Sequence, residues 1–135
     1  MLLDFSSYTV LVIDNELDNL KVVQEILSFA GATVHLAGSG IDGLAMLKSL
    51  KPSFILLDLS MPDLDGWETL KLIRAETETA PIPVIALTAH AMEGDRERVM
   101  ASGFDGYIAK PFRLANLTKD IQECLDRPTA RRITY

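Results

Sequence analysis

The chain has 135 residues, of which 48% are hydrophobic and 24% charged, with a formal net charge of −6. That length fits one domain with a sizeable core, and that apolar content excludes a disordered chain. The acidic balance disfavours a nucleic-acid partner, whose phosphates it would repel, and no apolar run approaches the roughly 18 residues of a membrane helix.

The chain opens on MLLDFSSYTV, which carries no basic residue ahead of its apolar ones and so does not resemble a secretory signal. Thr9–Ile13 is β-branched and apolar and reads as a buried strand, followed by Asp14, Asn15 and Glu16. From about Asp18 to Ala30, the residues Leu20, Val23, Ile26, Leu27 and Ala30 recur at helical spacing, and Gly31 supplies the stop. Thr33–Ala37 is a second strand. After Gly38-Ser39-Gly40, a helix runs from Ile41 to about Leu50, with Ser39 and Asp42 in a capping-box arrangement and Pro52 closing it.

Phe54–Leu57 is apolar at every position, as suits a strand covered on both faces, and it delivers Asp58 where the apolar run stops. A helix from about Gly66 to Glu76 turns Trp67, Leu70 and Ile73 inward. Val84–Leu87 is a fourth strand ending at Thr88. Met92–Ser102 is a weaker helix whose charges, Glu93, Asp95, Arg96, Glu97 and Arg98, read as a solvated face. Gly106–Ala109 is a short fifth strand ending at Lys110-Pro111, and Arg113–Leu125 is the last helix, lined by Leu114, Leu117, Ile121 and Leu125. Cys124, the sole cysteine, cannot form an internal disulfide and reads as core. His35 and His90 stand alone and form no metal cluster. We expect the domain to span residues 1–126, a short tail to span 127–135, and the protein to be cytoplasmic, with neither a membrane nor a direct nucleic-acid partner.

Five strand–helix repeats imply an α/β fold: a parallel sheet with right-handed crossovers and helices on both faces. The common five-strand order is 2-1-3-4-5, with its switch point between strands one and three. On that frame Asp14, Asp58, Thr88 and Lys110 all end strands at one sheet edge, and the two aspartates flank the switch point. Two close carboxylates repel unless a cation or proton intervenes, and a hard divalent ion such as Mg²⁺ suits oxygen ligands. Thr88 offers a hydroxyl donor and Lys110 a point charge for phosphate oxygens, which together describe phosphoryl transfer to a carboxylate nucleophile.

The segments VLVIDNELDN, ILLDLSMPDLDGWE, VIALTAHA and YIAKPF, in that order, resemble the response-regulator receiver domains of two-component signalling, over about Thr9–Leu125. The resemblance implies the flavodoxin-like receiver fold and a stand-alone signalling domain rather than an enzyme in its own right. It implies that Asp58 is phosphorylated by a histidine kinase or histidine phosphotransfer protein. It further implies that Asp14, Asp58 and the backbone carbonyl of Ser60 hold Mg²⁺, that Thr88 and Tyr107 switch, and that Lys110 pairs with the phosphate. A cis bond joins Lys110 to Pro111 in such domains, and a downstream protein reads the switched face.

The second acidic position of the family falls here on Asn15, which can ligate Mg²⁺ through its amide oxygen or serve only as loop polarity; weaker metal binding is expected. Glu16, one residue further, is expected to point elsewhere. Asn15 also keeps open a receiver-like module that works without phosphorylation. An aspartyl phosphatase is the other alternative, although such enzymes usually carry a second aspartate where this chain has Ser60. A flavin carrier of similar topology would need a hydroxyl- and glycine-rich loop in place of Asp14-Asn15-Glu16.

Overall fold

A computed structural model describes residues 3–89 and 93–127. In chain order the elements are β1 (Thr9–Ile13), α1 (Leu17–Phe29), β2 (Thr33–Ala37), α2 (Gly40–Met46), β3 (Phe54–Asp58), α3 (Gly66–Ala75), β4 (Val84–Thr88), α4 (Glu93–Ala101), β5 (Gly106–Ala109) and α5 (Leu114–Asp126). The strands form one sheet in the order β2-β1-β3-β4-β5, every pairing parallel, as expected. Among the described residues no helix is long and apolar enough to cross a membrane.

Alternate strand residues project to opposite faces, so the sheet carries two cores. Val10, Val12, Phe54, Leu56, Ile85 and Leu87 pack with Leu20, Val23 and Leu27 of α1 and Leu117, Ile121 and Cys124 of α5. Leu11, Ile13, Ile55, Leu57, Val84 and Ala86 pack with Leu70 and Ile73 of α3 and Val99 of α4. Burial on both sides is why β3 reads as an unbroken apolar run rather than an alternating one.

One helix end differs from the sequence reading. α2 ends at Met46 rather than near Leu50: Lys48 and Ser49 donate to the carbonyls three residues back, which tightens the chain into a turn ahead of Pro52. Ser39 Oγ accepts from Asp42 N at 3.0 Å, the cap expected there. The complete capping box lies instead at α3, where Asp65 and Glu68 bond reciprocally. Gly31, at φ 101°, takes the left-handed conformation that ends α1.

One glycine positions the functional edge. The first residue of α3, Gly66, lies so close to β3 that an added Cβ would strike the Asp58 carbonyl oxygen and come within 2.7 Å of Leu59 Cα. Gly66 N also donates to Leu59 O at 3.2 Å. The start of α3 is therefore seated directly against the strand end that presents Asp58.

Candidate functional site

Four strand ends converge at the C-terminal edge of the sheet, where open α/β folds place their ligands. Asp14 follows β1, Asp58 and Thr88 are the last residues of β3 and β4, and Lys110 follows β5. Asp14, Asp58 and Thr88 are buried. Parallel register explains the convergence: Ile13 pairs with Leu57, Asp58 with Leu87 and Thr88 with Ala109, so each strand stops at nearly the same height.

The Lys110 ammonium sits 2.9 Å from Asp14 Oδ2 and 3.4 Å from Asp58 Oδ1, so one cation bridges two buried carboxylates. The peptide bond between Lys110 and Pro111 is cis, and Lys110 N donates to Thr88 O at 2.8 Å. Short loop bonds hold the acids in place. Glu16 N donates to Asp14 Oδ1 at 2.9 Å, and Ser60 N donates to Asp58 Oδ1 at 3.1 Å. Each is an Asx turn in which the carboxylate folds the chain just beyond it.

One cation is not enough for these acids. Asp14 Oδ2, although ion-paired with Lys110, accepts no well-aligned hydrogen bond among the described residues. The Asp58 carboxyl is pushed up from the ordinary 3.8 to about 6, first by burial and then by the charge of Asp14; the Ser60 N–H and Lys110 oppose the shift. Lys110 stays above its ordinary value, because burial works against its charge but contact with Asp14 and Asp58 outweighs burial.

The structure corrects the reading of Glu16. It does not point elsewhere: its carboxylate lies 3.6 Å from Lys110 Nζ, and Asp14, Glu16 and Asp58 each offer an oxygen within 4.8 Å of the others. The Asx turn at Asp14 brings it there, a local signal legible as an acid two residues after an aspartate. Glu16 is 63% exposed against 10% for Lys110, so it forms the solvent side of the cluster. Hard oxygen donors, an under-satisfied buried carboxylate and a raised Asp58 fit a divalent cation.

Asn15 lies in the same loop. One end of its amide faces Asp58 Oδ2 at 3.1 Å and Ser60 O at 3.3 Å, and the other end faces donors only. The orientation that satisfies both ends has the nitrogen donating to those two oxygens.

Tyr107, on β5, is half-buried, and the Arg96 guanidinium lies over its ring, 5.7 Å from the centroid. Arg98 lies 4.3 Å over Trp67, which meets Phe104 edge-on. Arg96, Glu97 and Arg98 of α4 are exposed, as expected, but both arginines are spent on aromatic rings. His35 pairs with Leu11 within the sheet, and His90 lies outside the described residues. Cys124 is buried, and burial raises its thiol further, which leaves it inert.

Comparison with known proteins decides the family. The model of the response regulator receiver domain matches residues 10–122. The chain belongs to the response regulator receiver domains. It is 35% identical to the polar-differentiation response regulator DivK of Brucella ovis over 115 residues, covering 85% of this chain and 93% of that one. Its fold matches chemotaxis response regulator CheY4 of Vibrio cholerae with a TM-score of 0.81 and 28% identity, covering 86% of this chain and 97% of the other. It also matches the receiver domain of sensor histidine kinase PA1611 from Pseudomonas aeruginosa, with a TM-score of 0.79 and 32% identity over 89% of this chain and 98% of the other. That structure has a magnesium ion coordinated in its active-site cleft. A receiver domain of two-component signalling thus accounts for the matched length, the strand order and the acidic edge.

Proposed function

We propose that this receiver domain accepts a phosphoryl group on Asp58 from a phosphohistidine of a histidine kinase or phosphotransfer protein, and that a downstream protein reads the result. The observation that carries the reading is the Lys110 ammonium set between two buried carboxylates, 3.4 Å from Asp58 and 2.9 Å from Asp14. An Asp58 oxygen attacks phosphorus as the P–N bond breaks, and the leaving imidazole keeps the electron pair. Asp14, Asp58 and the Ser60 carbonyl would hold Mg²⁺, with Glu16 on the solvent side. A bound Mg²⁺ supplies charge neutralisation for the phosphoryl oxygens.

Lys110 exchanges its carboxylate contacts for a phosphoryl oxygen, and the Thr88 hydroxyl donates to another. Their contacts with the phosphoryl oxygens exist only in the phosphorylated state, so those contacts supply the free-energy bias between states. Tyr107 then moves behind Thr88, and the Arg96 contact on its ring carries the change to α4. The net charge of −6 speaks against direct nucleic-acid binding, and a single cysteine fits the cytoplasm.

The test is intact mass after incubation with Mg²⁺ and a small phosphodonor such as acetyl phosphate. One added phosphoryl group is expected in the wild type and none in Asp58→Asn. The second reading, a module that works unphosphorylated, is favoured by the approach of the Asn15 amide to within 3.1 Å of Asp58 Oδ2, where the orientation that satisfies both ends of the amide donates to it. An unmodified wild type under strong donor conditions would establish it instead.

A further inference from the structure

Asn15 occupies the loop position from which an amide oxygen can ligate Mg²⁺. Its placement argues for another role. One end of the amide lies 3.1 Å from Asp58 Oδ2 and 3.3 Å from Ser60 O, both acceptors, and the other end faces donors only, so the orientation that satisfies both ends turns the nitrogen toward Asp58 and Ser60. Those two oxygens belong to separate parts of the β3 end, one a side chain and one a backbone carbonyl, and both are among the oxygens proposed to hold Mg²⁺. An NH₂ group between them sits where a cation would sit and satisfies the same acceptors with two partial positive charges.

We infer that Asn15 is an internal stand-in for the cation: its amide nitrogen closes the Asp58–Ser60 side of the site and competes with Mg²⁺ instead of ligating it. The inference rests on the proposed Mg²⁺ site. Lys110 already takes one oxygen each of Asp14 and Asp58, and Asn15 takes the other Asp58 oxygen. The metal-free cluster is thereby held on two sides by the chain's own donors. A cation entering from solvent has to displace both Asn15 hydrogen bonds before it reaches Asp58 Oδ2. The chain would then answer to free Mg²⁺ at higher concentration than the same site without the amide, and its metal-free form would be an ordered resting state.

Calorimetric titration of Mg²⁺ into the wild type, Asn15→Ala and Asn15→Asp tests this. Asn15 is exposed, so truncation leaves the core intact, and a thermal melt of each protein confirms the fold. A ligand removed weakens binding, whereas a competitor removed tightens it. We expect Asn15→Ala to bind Mg²⁺ about threefold to tenfold more tightly than the wild type, as water fills the vacated position, and Asn15→Asp to bind more tightly still. A second readout is spectroscopic. In the metal-free wild type the Asn15 side-chain NH₂ resonances, identified by their loss in Asn15→Ala, should lie at hydrogen-bonded positions and move to free-amide positions as Mg²⁺ is added.

An Asn15→Ala affinity equal to or weaker than wild type overturns the inference and leaves the metal site standing. NH₂ resonances already at free-amide positions without metal overturn it too. No Mg²⁺ binding by any of the three proteins removes the metal site itself.

Discussion

The two edges of this sheet each hold a cation among carboxylates or carbonyls, and they are built to opposite ends. At the N-terminal edge, Arg74 of α3 donates to Ala80 O, Ile82 O and Gly103 O at 3.0, 2.6 and 3.0 Å and pairs with Asp105 at 3.1 Å. Asp105, fully buried, also accepts Val84 N at 2.8 Å. One positive charge meets one negative charge, and the planar guanidinium ties the α3–β4 and α4–β5 connections together. At the C-terminal edge, Lys110 faces Asp14, Glu16 and Asp58. Three acids share one compact ammonium, and the excess negative charge is what a cation or an incoming phosphoryl group would rebalance. A buried pair that is neutral and well bonded fixes structure; a buried cluster left short of positive charge is poised for a ligand.

The sharpest way to break this contrast is to make the same isosteric change at both edges. Asp105→Asn leaves the Arg74 charge without its partner, and should cost about 3–5 kcal/mol, read as a large drop in urea midpoint. Asp58→Asn removes one of the competing acids, and in metal-free buffer at neutral pH should be neutral or stabilising. Equal losses at both positions would erase the distinction.

Next in size is Gly66→Ala. Its Cβ would collide with the Asp58 carbonyl, displacing α3 from the strand end, at about 1–3 kcal/mol. Its damage should fall on the edge that presents Asp58, so the proposed phosphorylation by a small donor should slow along with the loss of stability.

The pH dependence of metal-free stability follows from Asp58. Its folded value, about 6, lies above the 3.8 of an ordinary aspartate, so the folded state holds a proton that the unfolded state has already released. The contribution of this group to stability therefore falls as pH rises from about 4 to about 6, and the penalty is complete above that window. Melting the wild type beside Asp58→Asn across the window should show the wild type losing ground steadily. Parallel curves would contradict a raised Asp58.

The smallest expected effect is at α4. Arg98→Ala should cost about 0.5–1 kcal/mol through loss of the contact with Trp67, measured by denaturant midpoint.

Much of the frame was legible because it rests on local pattern. The five strands are apolar runs ended by Asp14, Asp58, Thr88 and Lys110, and parallel topology brings such ends to one edge whatever the loop details. The bounds of α2 were less legible, since its last turn depends on tightened bonds ahead of Pro52 rather than on hydrophobic period. The structural pair of Arg74 and Asp105 left no mark in the pattern: its members are 31 residues apart, and each looks like an ordinary surface charge. Arg96 and Arg98 likewise read as solvated, because α4 carries little periodic apolar signal, and only the approach of β5 and α3 gives them rings to cover.

By itself, then, the order of residues determined the fold, the edge that carries the chemistry and the identity of Asp58 and Lys110 as its central charges. Tertiary structure decided how those charges are shared. The direction of Glu16 is set by the turn at Asp14, and that of the Asn15 amide by Asp58 and Ser60, which reach it only once β1 and β3 lie side by side. Hydrophobic period acts along the chain and is written in it; hydrogen-bond direction depends on partners that folding alone brings within about 3 Å.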